Sequence, residues 1–144
     1  MAAFYPAQIS VLVALVQDIT HRYAIAPENV VGHSDIAPQR KQDPGPLFPW
    51  QQLAEQGLGA WPDKASVQRY LAGQARDAPV DQALLLQALQ RYGYDVTAAT
   101  TPQMQRKLIA AFQMHFRARD YRGVADAETL AIAQALLAKY GAAQ

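Results

Sequence analysis

The sequence predicts a mostly helical α+β protein, and three observations carry that expectation. The 144 residues include 28 Ala and 17 Gln, both strong helix formers. Apolar residues recur with the 3.6-residue period that gathers them on one face of a helix. One segment breaks the pattern: Asn29-Val30-Val31-Gly32-His33 is short and β-branched, as expected of a buried strand running into a loop.

The first helix opens at Pro6 and Ala7 and carries Ile9, Leu12, Val13, Val16, Ile19 and Tyr23 on its apolar side. Pro27 stops it, because proline has no N–H to donate and its ring clashes with the preceding turn. After the predicted strand, Pro38, Pro44, Gly45, Pro46 and Pro49 forbid regular structure from Ile36 to Trp50, with Arg40, Lys41 and Asp43 among them. Pro49 suits the first turn of a short helix, Trp50 to Gln56, which Gly57 ends. Pro62 and Asp63 start another helix with Val67, Tyr70 and Leu71 on one face. The polar, breaker-rich stretch from Gly73 to Pro79 reads as a domain boundary dividing 1–76 from 77–144. Three helices follow. The first, Asp81 to Tyr92, ends at Gly93. The second is capped by Thr101 and opened by Pro102, with Leu108, Ile109, Phe112, His115 and Phe116 clustered on one side. The third is capped by Asp126, with Leu130, Ala133, Leu137 and Tyr140 on its face. Together these read as a compact three-helix unit.

Thirteen Lys+Arg against 12 Asp+Glu leave a net charge of +1. That argues against a sequence-blind nucleic-acid binder, since neutralising phosphates needs a basic excess. An apolar share of 51% is enough to bury a core, which excludes global disorder. The absence of cysteine removes disulfides, thiolate metal sites and cysteine nucleophiles. The best apolar stretch, Ile9 to Val16, contains Ser10 and is far shorter than the ~18 residues of a membrane span. With no Lys or Arg ahead of it, it does not read as a secretory signal. Arg106, Lys107, Arg117, Arg119 and Arg122 form a basic group interrupted by Asp120, which reads as a solvated face. His115 falls near the apolar side of its helix and reads as a satisfied core histidine.

The segment Gly32-His33-Ser34-Asp35-Ile36-Ala37-Pro38-Gln39-Arg40-Lys41-Gln42-Asp43-Pro44-Gly45-Pro46 holds the densest chemistry. His33 and Asp43 stand ten residues apart, a separation with little meaning by itself. A lone His and a lone Asp are more often structural than ligating, although imidazole and carboxylate both suit Zn²⁺. Context favours the functional reading, because the His closes a strand, the Asp precedes a Pro-Gly turn, and Lys41 lies two residues away. Asp35 and Arg40 read as partners that order the loop.

From Gly32 to Trp50 the chain resembles the signature of the zinc-dependent N-acetylmuramoyl-L-alanine amidases, the superfamily that includes peptidoglycan recognition proteins. Gly57-Leu58-Gly59-Ala60-Trp61-Pro62-Asp63, Tyr92-Gly93-Tyr94-Asp95-Val96, Ala111-Phe112-Gln113-Met114-His115-Phe116 and Ala125-Asp126-Ala127-Glu128-Thr129 resemble the branch with a C-terminal peptidoglycan-binding domain. The resemblance implies the C-terminal part of a mixed-sheet amidase domain over 1–76 and a helical peptidoglycan-binding domain over 77–144. It implies that His33 and Asp43 are two of three zinc ligands, and that Lys41 faces the substrate carbonyl and stabilises the oxyanion. Three protein ligands leave a fourth position for water.

The implied reaction is hydrolysis of the amide between the lactyl group of MurNAc and L-Ala of the stem peptide. Peptidoglycan or muropeptides are then the partners, the basic group of the tail gains a second option as a groove for muropeptide carboxylates, and the periplasm or cell envelope is the implied compartment, with an outer-membrane lipoprotein as one form. The family's further zinc-ligand His and its general-base Glu lie upstream of what matches Ala7 onward. His21, Glu28 and His115 do not match those positions, so the chain is expected to be the C-terminal portion of an amidase. It is also expected to leave the strand Val30 to His33 with exposed edges. The alternative is a non-catalytic peptidoglycan-binding module that keeps the loop as a vestige.

Overall fold

A computed structural model describes residues 6–36, 45 and 47–141, with His33 and Ser34 described by their backbone alone. Seven α-helices are described: α1 (Pro6–Tyr23), α2 (His33–Ile36), α3 (Trp50–Glu55), α4 (Lys64–Leu71), α5 (Gln82–Tyr92), α6 (Pro102–Phe116) and α7 (Ala127–Tyr140), with a 3₁₀ turn at Pro27–Asn29. The mostly helical expectation therefore holds. None of these helices is long and apolar enough to cross a membrane.

The predicted strand at Val30 to His33 is a correction. Val30 is extended, at φ −91° and ψ 104°, but the only bridge among the described residues joins Pro79 to Asp126. Extended backbone becomes a strand only when a second extended segment pairs with it, whereas the Val30 N–H donates back to the Pro27 carbonyl of the 3₁₀ turn at 3.1 Å. His33 does not close a strand. It opens the single turn α2, which is set by the Gly32 N–H donating to the Asp35 carboxylate at 3.0 Å and the Asp35 N–H donating to the Gly32 carbonyl at 3.2 Å.

Three helix starts have side-chain caps, two of them, Thr101 and Asp126, where the sequence placed them. Asp81 accepts from the Ala83 N–H, Thr101 from the Met104 N–H and Asp126 from the Thr129 N–H, each satisfying a donor that the first turn leaves unpaired. α7 packs along α4 and α5. Leu85, Leu89, Leu108, Ile109, Phe112, Ala133 and Leu136 make the centre of the core. Ala60, Trp61 and Val67, which precede the Gly73 to Pro79 stretch, pack into the same core. The Trp61 backbone N–H donates to the Tyr140 hydroxyl at 3.1 Å, tying the approach to α4 onto the end of α7.

The loop from Arg117 to Asp126 is bound to the core by polar groups. The buried Gln113 amide donates to the Val124 carbonyl and the Thr129 hydroxyl, both at 2.9 Å, and accepts from the Gly123 N–H at 2.9 Å. Gly123 has φ +83°, and a Cβ there would meet the Arg106 carbonyl oxygen at 2.4 Å, so no other residue fits without moving backbone.

Candidate functional site

The structure places the predicted site residues unequally. Lys41, Asp43 and Arg40 lie outside the described residues, as does the side chain of His33. Among the described residues, no group of three His, Cys, Asp or Glu is placed to hold a metal. The chemistry of the donor set fits zinc in part: imidazole and carboxylate are both zinc donors, and His33 and Asp43 would supply two of the three protein ligands that a catalytic zinc takes. His21 is exposed on α1 and Glu28 sits on the 3₁₀ turn.

What the structure does bring together is a buried polar cluster beside that loop. Asp35, two residues after His33, has one carboxylate oxygen 2.7 Å from His115 Nδ1 and accepts on the other from the Tyr94 hydroxyl. The same carboxylate accepts from the Gly32 N–H. Both side chains of the Asp35–His115 pair are almost fully buried, at 5% and 3% exposure. The imidazole lies flat between two aromatic rings, with centroids 3.9 Å from Trp50 at 12° and 4.0 Å from Phe116 at 16°. His115 of α6 thus touches both α2, at Asp35, and α3, at Trp50.

Protonation follows from the surroundings. Burial alone pushes the Asp35 carboxyl up, but the hydrogen bond and charge of His115, with the Tyr94 and Gly32 donors, outweigh it and hold the carboxyl below its ordinary value. Burial pushes the Tyr94 phenol well up, and the Asp35 charge pushes it further. Asp35 is therefore a carboxylate that only accepts, so His115 donates through Nδ1 and Tyr94 through its hydroxyl. His115 Nε2 is buried without a hydrogen-bond partner among the described residues.

The reading of Asp35 as a partner that orders the loop fits this geometry, and so does His115 as a core histidine, satisfied at Nδ1 only. Tyr94 and Trp50 were missed. The available signal was general: a buried histidine and a buried phenol each need a partner, and Asp35 was a carboxylate with none assigned. Next to the cluster lies a cleft of about 510 Å³ lined by Glu28, Asn29, Val31, Asp35, Tyr92 and Asp95, among others.

The solvated-face reading of the tail's basic group holds for Arg106, Lys107, Arg119 and Arg122, which are exposed, and is corrected at Arg117. Arg117 is buried and donates to both Asp126 carboxylate oxygens, at 2.8 and 2.9 Å, because a buried carboxylate needs a counter-charge. Arg119 pairs with Glu128, Arg122 pairs with Asp120 at 2.9 Å, and Arg106 Nε donates to the Arg122 carbonyl.

Residues 1–46 match the N-acetylmuramoyl-L-alanine amidase family. The N-acetylmuramoyl-L-alanine amidase AmiD of Escherichia coli is 66% identical over 140 residues, covering 97% of this chain and 51% of the relative. The 1,6-anhydro-N-acetylmuramyl-L-alanine amidase AmpD of Enterobacter cloacae is 54% identical over 44 residues, covering 31% of this chain and 24% of the relative. Among solved structures, AmiD of E. coli in complex with anhydro-N-acetylmuramic acid-L-Ala-D-γ-Glu-L-Lys superposes with a TM-score of 0.97 at 64% identity, over 99% of this chain and 56% of that one. AmpDh3 of Pseudomonas aeruginosa superposes with a TM-score of 0.91 at 46% identity, again over 99% of this chain and 56% of the other. The chain spans about half the length of the E. coli AmiD that it matches.

Proposed function

We propose, from its similarity to AmiD along almost its whole length and the match of residues 1–46 to the amidase family, that this chain supplies the His33–Asp43 loop and the helical C-terminal domain of a peptidoglycan amidase. The observation that carries the reading is its 66% identity to AmiD over 97% of the chain. It is supported by the TM-score of 0.97 to AmiD holding an anhydro-muropeptide. The proposed reaction is hydrolysis of the amide between the MurNAc lactyl group and L-Ala.

In this reading His33 and Asp43 hold zinc, with residues 1–76 contributing to the amidase domain and 77–144 forming the domain that meets peptidoglycan. When bound, zinc supplies a Lewis acid and a water of lowered pKa. The Lys41 ammonium faces the scissile carbonyl and offsets the negative charge that develops on its oxygen. The place of action is the cell envelope, where the polymer is.

The test is made on the full gene product, with zinc content and release of L-Ala-peptides from anhydro-muropeptides measured side by side. Lys41→Ala is expected to lower turnover about 10²- to 10³-fold with zinc content unchanged, whereas Asp43→Ala lowers both. Equal zinc occupancy after Asp43→Ala would refute the ligand assignment. Tight binding of muropeptides with no hydrolysis and no zinc would replace the enzyme reading by the binding-module one.

A further inference from the structure

We propose that His115 is a staple for the candidate site, a positioning residue whose single imidazole ring holds both ends of the segment between Asp35 and Trp50, with Tyr94 reinforcing the grip on Asp35. The staple itself stands on the described geometry; its consequence for zinc rests on the reading above.

At the near end, Nδ1 of His115 meets the Asp35 carboxylate at 2.7 Å. At the far end, the ring of Trp50 lies against the same imidazole, 3.9 Å between centroids and nearly parallel. Asp35, His115 and Trp50 are all nearly excluded from solvent, with Trp50 at 5% exposure. Both contacts therefore act without competing water, where a charge-assisted hydrogen bond is worth most.

Closing a loop costs chain entropy that grows with its length. Fixing both ends on one rigid helix side chain removes that cost before any ligand arrives, which is how a preorganised site is supported from behind. A side chain that served packing alone would not need nitrogen here. Phenylalanine would fill the slot between Trp50 and Phe116 without burying an Nε2 that has no hydrogen-bond partner among the described residues. What phenylalanine cannot do is bond Asp35. Helix α6 of the C-terminal half thus holds Asp35 and Trp50 as well as the core, and Tyr94, next to α5, adds a second donor to the same carboxylate.

Limited trypsin digestion of the chain tests this, because Arg40 and Lys41 are cleavage sites inside the stapled segment and Arg76 is an exposed site outside it. His115→Phe keeps the ring stack and removes the bond. It is expected to speed cleavage after Arg40 and Lys41 about tenfold or more relative to cleavage after Arg76, from the loss of a hydrogen bond to a charged group. Tyr94→Phe, which removes one hydroxyl and is the milder variant should the first fail to fold, is expected to give about a fivefold rise. His115→Asn, which returns an N–H near the Nδ1 position, is expected to recover part of the protection.

In the full gene product the same two phenylalanine variants are expected to lower zinc affinity about 10- to 100-fold, read by chelator competition, since they remove support for a ligand-bearing loop. Loop cleavage that does not change, or that rises by the same factor as cleavage after Arg76, overturns the staple, for then the residue supports only the fold. If the unsubstituted protein binds no zinc while the loop-specific rise persists, the metal reading fails and the staple stands.

Discussion

Helices α1 and α6 announce themselves in the sequence by the same 3.6-residue pattern and have opposite fates. Of the 15 residues of α6, the eight buried ones include Leu108, Ile109, Phe112 and Phe116. Of the 18 residues of α1, only Ile9 is buried, while Val11, Leu15, Ile19 and Tyr23 stand exposed in a row at intervals of four. Ile19 and Tyr23 had been expected on the core side. The difference teaches that periodicity identifies a face fit for burial without naming what buries it. α6 has α5, α7 and the loop ahead of α7 around it, and its stability comes from tertiary packing. α1 is apolar on more than one side, and the described residues cover only part of one.

The largest test of that contrast is Phe112→Ala. The ring is fully buried and touches Tyr94 and Phe116, so its loss should cost about 3–5 kcal/mol in denaturant unfolding. A cost below about 1 kcal/mol would mean that the α4–α7 core is not the cooperative unit. Next comes the buried ion pair. Asp126→Asn leaves Arg117 buried beside a neutral amide and should cost about 3 kcal/mol.

The same pair gives a pH dependence. Burial pushes the Asp126 carboxyl up, but Arg117 and the hydroxyl and N–H of Thr129 outweigh it, so its folded pKa lies below the ordinary 3.8. A carboxyl depressed on folding stabilises fully above its unfolded value and loses that contribution as pH falls through the folded one. Thermal melts should therefore show an acid-side loss of stability below about pH 4 that Asp126→Asn flattens. An unchanged acid limb in the variant would assign the loss to other carboxylates.

Much of the helical framework was legible because its signals are local. Thr101-Pro102 and Asp126 state their helix starts in adjacent residues, and the observed caps are those bonds. Thr101→Ala should cost only about 1 kcal/mol, small beside Phe112, since the cap serves one exposed turn. What was not legible depends on partners far along the chain. Val30-Val31 looks like a strand by composition, but strand pairing is decided by a neighbour that the two residues cannot specify. Asp35 and His115 are separated by 80 positions, and nothing near either residue marks the other. The loop around His33 and Asp43 was legible as a resemblance over many residues, where spacing alone was empty.

The smallest expected effect is the sharpest probe of α1. Leu15 is 55% exposed, so Leu15→Gln should shift unfolding free energy by no more than about 0.5 kcal/mol, and helix propensity changes little between the two residues. That near-zero value is informative because the same substitution in α6, at Leu108, would remove a side chain with no solvent exposure at all. If Leu15→Gln instead costs 2 kcal/mol or more, about what fully burying a leucine is worth, then in solution something covers the row from Val11 to Tyr23. A second copy of this chain would reveal itself by a concentration-dependent melting temperature. If the cost is near zero and the melting temperature is independent of concentration, α1 holds its helix with that row open to water, and the contrast with α6 is a property of the chain itself.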